Sequence, residues 1–356
     1  MNPEKFAVIL LHWFSANKRN LPWKHTADPY HIWISEIILQ QTRVEQGLPY
    51  YNKFITIFPD IKTLANATES EVLHAWQGLG YYSRARNLHH TAKVILTRYD
   101  GQFPNKYQEV IALKGIGPYT AAAVLSFGFG QKYAVVDGNV IRLVTRILGI
   151  EDAIENKNVK KTIQHFVDNA IQFVPPADFN QALMDFGATL CTFLLPKCHI
   201  CPFSEYCQAN LLSLTTTIPF KGKKIIRQDR FLHFFELVMP EDKIIITQRK
   251  EDDIWKNLYQ LPLIETDKQN AVSNANVNNL LHHVFDQLEI DNVALDLVYV
   301  GKQVLTHRNI FGYFYKICLQ ETAYKINKDH YLVERSKVSN FAFPKILTEY
   351  FKHSSD

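Results

Sequence analysis

No stretch of the chain is apolar for long enough to cross a bilayer, which excludes a membrane-spanning helix. The N-terminus lacks the small-residue cleavage site of a secretory signal. Met1–Asn20 instead sets Phe6, Ile9, Leu10 and Trp13 at helical spacing among Lys5, Lys18 and Arg19, the pattern of an amphipathic core helix. Cytoplasmic residence is the expectation that follows. No internal repeat is present. Cysteine is scarce, five residues in 356, and four of the five crowd into Cys191-x6-Cys198-x2-Cys201-x5-Cys207.

Four thiolates at such spacing can converge on one soft metal centre, and a compact C-x2-C core with longer arms suits iron–sulfur ligation. A structural zinc site is the alternative that spacing alone leaves open. Two disulfides fit less well, because a chain of this length needs no staples and carries no secretory signal. Cys318 stands apart in an expected strand and is read as a buried small hydrophobe.

The 47% hydrophobic and 13% aromatic content is that of a globular protein with room for two domains. Net charge is only +4 but unevenly placed. Residues 1–212 carry 20 basic and 17 acidic side chains, 213–230 carry 5 and 1, and 231–356 carry 14 and 17. That bias toward the front and the connector is compatible with a polyanionic partner and equally with a solvated surface.

Up to about Leu212 apolar residues recur at three and four, with Gly and Pro between segments, so this part is expected to be helical. Asp28-Pro29 reads as an N-cap and first-turn proline opening a helix through Ile38. Ser213–Gln228 is polar, basic and broken by Pro219 and Gly222, as a linker would be. Beyond it, Phe231–Met239, Lys243–Gln248, Val298–Val304 and Gly312–Leu319 are short and rich in β-branched and aromatic residues, hence strands. Helices are expected at Val277–Leu288 and Phe343–Phe351, while Lys268–Asn276 is polar and asparagine-rich.

Three segments could carry chemistry. Leu113-Lys114-Gly115-Ile116-Gly117-Pro118 lies between two helical patterns; its glycines permit φ > 0 and close approach, so turn amides and a helix N-terminus can face one anion such as a DNA phosphate. The plain alternative is a tight turn. Val135-Val136-Asp137-Gly138-Asn139 puts an acid at the start of a further helix, as an N-cap or as an anion placed to stabilise a developing cation. Glu36, flanked by Trp33, Ile34, Ile37 and Ile38, is either on an exposed stripe or desolvated, in which case its pKa rises and it becomes a general acid near neutrality. One raised and one ionised carboxylate suits cleavage of a glycosidic bond.

Together the hairpin at Leu113–Gly117, Asp137 after it and the four cysteines resemble the endonuclease III superfamily of base-excision glycosylases. Within that superfamily the chain resembles the MutY-type adenine glycosylases, which remove adenine mispaired with 8-oxoguanine. The likeness runs through residues 21–207 and includes Leu21-Pro22-Trp23, Ser35-Glu36, Leu39-Gln40-Gln41-Thr42 and Gly78-Leu79-Gly80-Tyr81-Tyr82-Ser83-Arg84. It implies a [4Fe-4S] cluster on Cys191, Cys198, Cys201 and Cys207, with a basic loop between Cys191 and Cys198, holding Lys197, near the DNA backbone. It implies that Glu36 protonates the departing adenine, that Asp137 stabilises the sugar cation, and that Tyr119 and Asn139 assist. Leu113, Gly115, Ile116 and Gly117 would hold a DNA phosphate. Leu21, Trp23, Val44 and Gln181 would line the adenine pocket; Lys24 stands where some relatives have arginine and is left out. Gln41, Thr42, Leu79 and Tyr81 would probe the opposite strand.

Tyr119 occupies the position where bifunctional relatives carry a lysine nucleophile, so base hydrolysis without efficient strand cleavage is expected. Gln248-Arg249-Lys250 and Ile254–Pro262 resemble a Nudix-like 8-oxoguanine-recognition domain without the magnesium-binding glutamates, with Thr306 and His307 where relatives have Ser-His. The expected architecture is therefore multidomain. An all-α helix–hairpin–helix glycosylase region covers 1–212, with a six-helix barrel about 27–133 and an iron–sulfur module about 1–26 plus 134–212. A linker at 213–229 and an α+β Nudix-like domain at 230–356 follow. The expected activity is that of a monofunctional adenine DNA N-glycosylase acting as a monomer on double-stranded DNA with A opposite 8-oxoguanine or G. The alternatives are an endonuclease III-like pyrimidine glycosylase/lyase and a non-catalytic DNA-binding module.

Overall fold

The computed structural model describes residues 1–220, 222, 226–267, 272–286, 295–319 and 325–354. Two compact units form, one from Met1–Asn66 with Asn87–Lys224 and one from Ala67–Arg86 with Ile225–Asp356. Among the described residues no helix is long and apolar enough to cross a membrane.

The first unit is helical. Its opening helix, Pro3–Asn17, is capped by the Asn2 side chain and buries Phe6, Ala7, Leu10 and Phe14. Phe6 sits at 5.0 Å from Phe203 and 5.1 Å from Phe166, tying the N-terminus to residues far along the chain. The helix Pro29–Leu39 begins as its sequence demands, with the Asp28 carboxylate accepting the Tyr30 amide and proline in the first turn. It is buried almost throughout, from Ile32 to Ile38, because it packs on another interior helix, Pro118–Phe129, whose run Ala121–Ala123 lets the two backbones come close. The third helix that shapes the site, Gly138–Leu148, lies on the aromatic core and buries Val140, Leu143, Val144 and Ile147.

Residues 213–220, expected in the linker, stay on this unit. Leu214 packs on the aromatic core, and Ile218 is buried there with its carbonyl accepting Arg146 Nε at 2.9 Å. A buried guanidinium needs acceptors, and this segment supplies one. Residues 221 and 223–225 of the expected linker lie outside the described ones.

The second unit is mixed α and β. Among the described residues it holds a seven-stranded sheet. Its main path runs Tyr259–Gln260, Lys243–Gln248, Gln228–Met239, Arg308–Cys318 and Asp296–Val304; Leu263–Thr266 and His330–Glu334 pair at its flanks. Gln228–Met239 and Arg308–Cys318 are parallel, and their register sets Phe231 opposite Phe311, Phe234 opposite Phe314 and Phe235 opposite Tyr315, each pair stacked at about 5 Å. Cys318 is exposed, contrary to expectation: period-two alternation turns Ile317 and Leu319 inward and leaves 318 on the face of Lys316. The helix expected over Val277–Leu288 runs from Asn274 to Val284, and Phe285–Asp286 then pairs with Lys325–Ile326; 287 and 288 lie outside the described residues.

Residues 67–86, expected within the barrel region, pack with these strands instead. The Tyr82 hydroxyl donates to Phe343 O at 3.1 Å, Arg86 Nη1 to Lys256 O at 2.8 Å, and Asn257 Nδ2 to Glu69. This exchange rests on polar tips of aromatic and long side chains, which carry no period that sequence reading detects.

Phe314 is fully buried between Phe234 and Tyr350, the latter ring at 4.3 Å. Phe314→Ala is expected to lower stability by about 3–5 kcal/mol, against ~0.5 kcal/mol or less for Leu297→Ala, which is half exposed. Equilibrium denaturation of the full chain, with equal losses for the two variants, would contradict this packing.

Candidate active site and metal centre

Glu36 is on the penultimate turn of the Pro29–Leu39 helix and only 7% exposed. Burial pushes its carboxyl up to about 7; a hydrogen bond from Tyr119 pulls the other way, and the negative charge of Asp137 adds to the rise. Tyr119 is in the first turn of the Pro118–Phe129 helix, and burial together with both carboxylates holds its hydroxyl well above the usual range, so it stays a neutral donor. The thioether of Met184, 3.4 Å from that hydroxyl, is a poor acceptor, and the proton goes to Glu36.

Asp137 caps the Gly138–Leu148 helix. Its Oδ1 accepts the Val140 amide at 2.8 Å and its Oδ2 accepts Asn139 Nδ2 at 2.8 Å, so both oxygens are oriented and held at the positive end of the helix. Asn139 is fixed in turn: its Oδ1 accepts Arg142 Nη2 at 2.9 Å, and Arg142 also donates to Gly187 O at 2.6 Å and to Cys191 O at 2.8 Å. A Cβ on Gly187 would lie 2.6 Å from Asn139 Cβ and 3.0 Å from its carbonyl oxygen, so only glycine admits this approach.

Glu36, Tyr119, Asp137 and Asn139 line one cleft of about 940 Å³. Leu21, Trp23, Val44 and Gln181, and also Gln41 and Thr42, are on its walls. Trp23 is buried with its ring edge on Tyr51. Gln181 Oε1 is buried with no hydrogen-bond partner among the described residues, an acceptor aimed at something the protein does not supply. Gln41 takes φ +57°, a left-handed turn that stops the preceding helix at the cleft edge. Leu79, Tyr81, Thr306 and His307 belong to the second unit, where the Tyr81 hydroxyl bonds the Thr306 hydroxyl, Leu79 is buried and His307 is exposed.

Sequence reading missed a charge cluster on the same wall. Asp185 is fully buried and accepts Arg19 at 2.6–2.7 Å and Lys24 Nζ at 2.6 Å; burial lowers the Lys24 ammonium, and Asp185 opposes that. An acid between Met184 and Phe186 was the available signal, but its partners are 161 and 166 residues away. Arg142 and Arg146 were missed as well.

In the hairpin, Leu113 and Ile116 bury their side chains, and the Ile116 amide is used within the turn by Leu113 O at 3.1 Å. Gly115 has φ +83°, and a Cβ there would lie 2.7 Å from Asn87 Cβ. Gly117 precedes Pro118 as the N-cap of the following helix, so the exposed backbone of Gly115 and Gly117 is the part left to meet an anion.

The four clustered cysteines carry free thiols and line one cavity with Leu143, Arg146, Phe186 and Lys197. Among the described residues no three His, Cys, Asp or Glu side chains converge tightly enough to hold a single ion. Burial pushes Cys201 up to about 12 and raises Cys198 and Cys207, so their thiolates require nearby positive charge. Arg146 is 1% exposed; its donors go to Ile218 O, Thr192 O, Phe193 O and, at 3.4 Å, Cys191 Sγ. A buried cation bonded to carbonyls and sulfur, with no carboxylate in an ion pair with it among the described residues, fits an anionic sulfur-ligated centre.

The sequence pattern of the HhH-GPD superfamily base excision DNA repair proteins matches residues 34–169. The adenine DNA glycosylase of Buchnera aphidicola subsp. Acyrthosiphon pisum (strain APS) is 34% identical over 310 residues, covering 83% of this chain and 88% of its own. That of Arabidopsis thaliana is 33% identical, covering 79% and 51%. The solved structure of a thermostable thymine-DNA glycosylase superposes with a TM-score of 0.54 at 32% identity, covering 59% of this chain and 97% of that one. An endonuclease III–DNA complex, at 17% identity and TM-score 0.51 over 60% and 99%, shares the fold.

The raised Glu36 has a signature in stability. Its folded pKa of about 7 exceeds its unfolded value of 4.5, so the unfolded state binds fewer protons between them and stability falls as pH rises through that window. Glu36→Gln removes this dependence. It is expected to leave the unfolding free energy nearly unchanged at pH 4.5 and to raise it by about 3 kcal/mol at pH 8. Parallel stability–pH curves for the two proteins would refute the assignment of a buried, neutral carboxyl.

Proposed function

The chain belongs to the adenine DNA glycosylase family of HhH-GPD base excision repair proteins, and on that premise we propose that it hydrolyses the N-glycosidic bond of adenine opposite 8-oxoguanine or guanine without cutting the strand. The observation that carries this reading is the meeting of Glu36 and Asp137 across one cleft, the first neutralised by burial, the second held by helix-terminal donors. The target nucleotide leaves the duplex to reach them. Glu36 delivers its proton to adenine N7, the bond to the sugar breaks as the base takes the electron pair, and Asp137 stabilises the oxocarbenium ion or traps it covalently until water adds. Tyr119 orients Glu36 and Asn139 orients Asp137. Tyr119 does not provide the amine that a lyase uses to form a Schiff base.

Leu21, Trp23 and Val44 suit the faces and edge of a purine, and the partnerless Gln181 Oε1 suits its exocyclic amine. Gly115 and Gly117 present backbone to a phosphate, with Leu113 and Ile116 anchoring the turn. Double-stranded DNA is the partner of a protein acting as a monomer, in the cytoplasm and nucleoid-associated if the source is bacterial. The second unit acts as a Nudix-like reader of 8-oxoguanine. Support comes from the joined hydroxyls of Tyr81 and Thr306, with Leu79 and His307 in the same unit. Gln41 and Thr42, on the cleft walls of the first unit, would probe the opposite strand.

Cys191, Cys198, Cys201 and Cys207 would hold a [4Fe-4S] cluster. The charge that Arg146 offers to a sulfur-rich anion beside the cavity the four thiols share favours it over a zinc ion. When bound, the cluster would supply structure, and the chain's own Arg142 and Arg146 would transmit the position of the cysteine loop to the helix that Asp137 caps.

In single-turnover assays, duplexes with A opposite 8-oxoguanine are expected to release adenine without nicking. The rate should fall about tenfold per unit above a pH of about 7 as Glu36 ionises, and Glu36→Gln should lose ~10²–10⁴ in rate with DNA affinity retained. Release of thymine glycol with nicking would favour a pyrimidine lyase, and binding with no release a non-catalytic module. The holoprotein should absorb near ~410 nm, and Cys201→Ser should lose that band; a colourless protein containing zinc would overturn the cluster assignment.

A further inference from the structure

The segment between Cys191 and Cys198 was expected to be a basic loop, and Lys197 is its one cation. Its tip is apolar and turned to solvent: Phe193 is 51% exposed, Leu194 75% and Leu195 83%. Three consecutive large hydrophobes at such exposure are unusual on a soluble surface and mark a contact.

They are not a slack loop. Thr192 Oγ1 closes the turn on Leu195 O at 2.6 Å, and the Lys197 amide returns to Leu190 O at 3.0 Å. Arg146 reaches Thr192 O at 2.7 Å and Phe193 O at 3.0 Å, while Arg142 holds Cys191 O at 2.8 Å. Every bond fixes the backbone, so the leucines are pushed outward while the frame beneath them is rigid. The loop is also continuous with the cleft, because Thr192 and Phe193 line it beside Asn139 and Arg142. Leu194 and Leu195 follow directly on that shared wall.

We propose that Phe193, Leu194 and Leu195 form an apolar wedge that packs against the unstacked base step and sugars of the DNA flanking the extruded nucleotide. The inference rests on the reading of the cleft as a nucleotide site. DNA is the occupant because the tip and the cleft share a wall, and because an extruded nucleotide leaves exposed base faces at that place, which side chains of this kind fill. Such a contact adds affinity without releasing counterions, so it is insensitive to salt, unlike the phosphate contacts.

The experiment uses the full-length holoprotein in a Glu36→Gln background, a duplex with A opposite 8-oxoguanine, and 2-aminopurine beside the target. Leu194→Ser/Leu195→Ser is expected to weaken binding roughly tenfold at every salt concentration, leaving the slope of log Kd against log salt unchanged. The 2-aminopurine emission should fall as the step restacks, and Leu194→Met/Leu195→Met should retain both signals. Affinity within twofold of the parent and unaltered emission would overturn the wedge. So would light scattering that shows a dimer dissociated by the serine pair with DNA affinity unmoved, since the tip would then cover a second copy. If the unsubstituted chain neither binds this duplex nor excises its adenine, the reading of the cleft has failed and the wedge falls with it; if it does both and only the serine pair is neutral, the wedge alone fails.

Discussion

The site depends on one carboxyl raised by burial beside another fixed by hydrogen-bond donors at a helix N-terminus. Glu36 has burial on its side and Asp137 has donors on its own, and each environment is generated by a helix. The Pro29–Leu39 helix can carry an acid inward only because its other faces are also buried, so the backbone and neighbours that surround Glu36 are fixed by apolar packing. The Gly138–Leu148 helix starts where Asp137 stands, and its free amides meet the carboxylate. Moving the Pro29–Leu39 helix by a fraction of a turn would change the ionisation of Glu36 as well as its position, and moving the Gly138–Leu148 helix would take the donors away from Asp137.

That dependence explains the attention the fold gives to Asn139 and the cysteine loop. Asp137 is held by Asn139, Asn139 by Arg142, and Arg142 by carbonyls of Gly187 and Cys191. Arg146, one turn further along the same helix, binds the loop after Cys191 and the buried Ile218 carbonyl. Two arginines four residues apart thus fasten the loop after Cys191 and the segment around Ile218 to the helix that Asp137 caps. The charge of Arg146 is buried with no ion-pair carboxylate among the described residues, a cost that carbonyl bonds only partly offset, and an anionic centre at the cysteines would complete the compensation.

Much of this was legible in the sequence, and the reason differs by residue. The N-cap at Asp28, the turn at Gly115 and the cap at Asp137 follow from local chemistry, which a short window contains in full. The strands Lys243–Gln248 and Phe231–Met239 were visible through β-branched and aromatic content, although the second begins three residues earlier, at Gln228, in what was read as linker. Glu36 was ambiguous by periodicity, since an acid among isoleucines could face either way; the resemblance resolved what the pattern could not. The Asp185 cluster and the packing of 67–86 with the second unit were hidden, because they join side chains more than 160 residues apart. Cys318 was misjudged because residue type was weighed before strand parity, and parity decides which face a strand residue takes.

The residues that break local preference gather at the cleft. Glu36 is an acid inside an apolar helix, Gln41 takes a left-handed φ without being glycine, Gly187 weakens a helix interior, and Asp185 draws two cations into a buried place. Each costs stability if taken alone. Gly187 shows how the costs are coupled: a side chain there would strengthen the Pro176–Thr189 helix by propensity, yet it would drive Asn139 off Asp137. Preserving the geometry of the Asp137 side chain therefore requires a weaker helix nearby. The aromatic core around Phe6, Phe166, Phe186 and Phe203 tolerates that weakness, because it anchors the opening helix, the Pro176–Thr189 helix and the cysteine segment independently of the cleft.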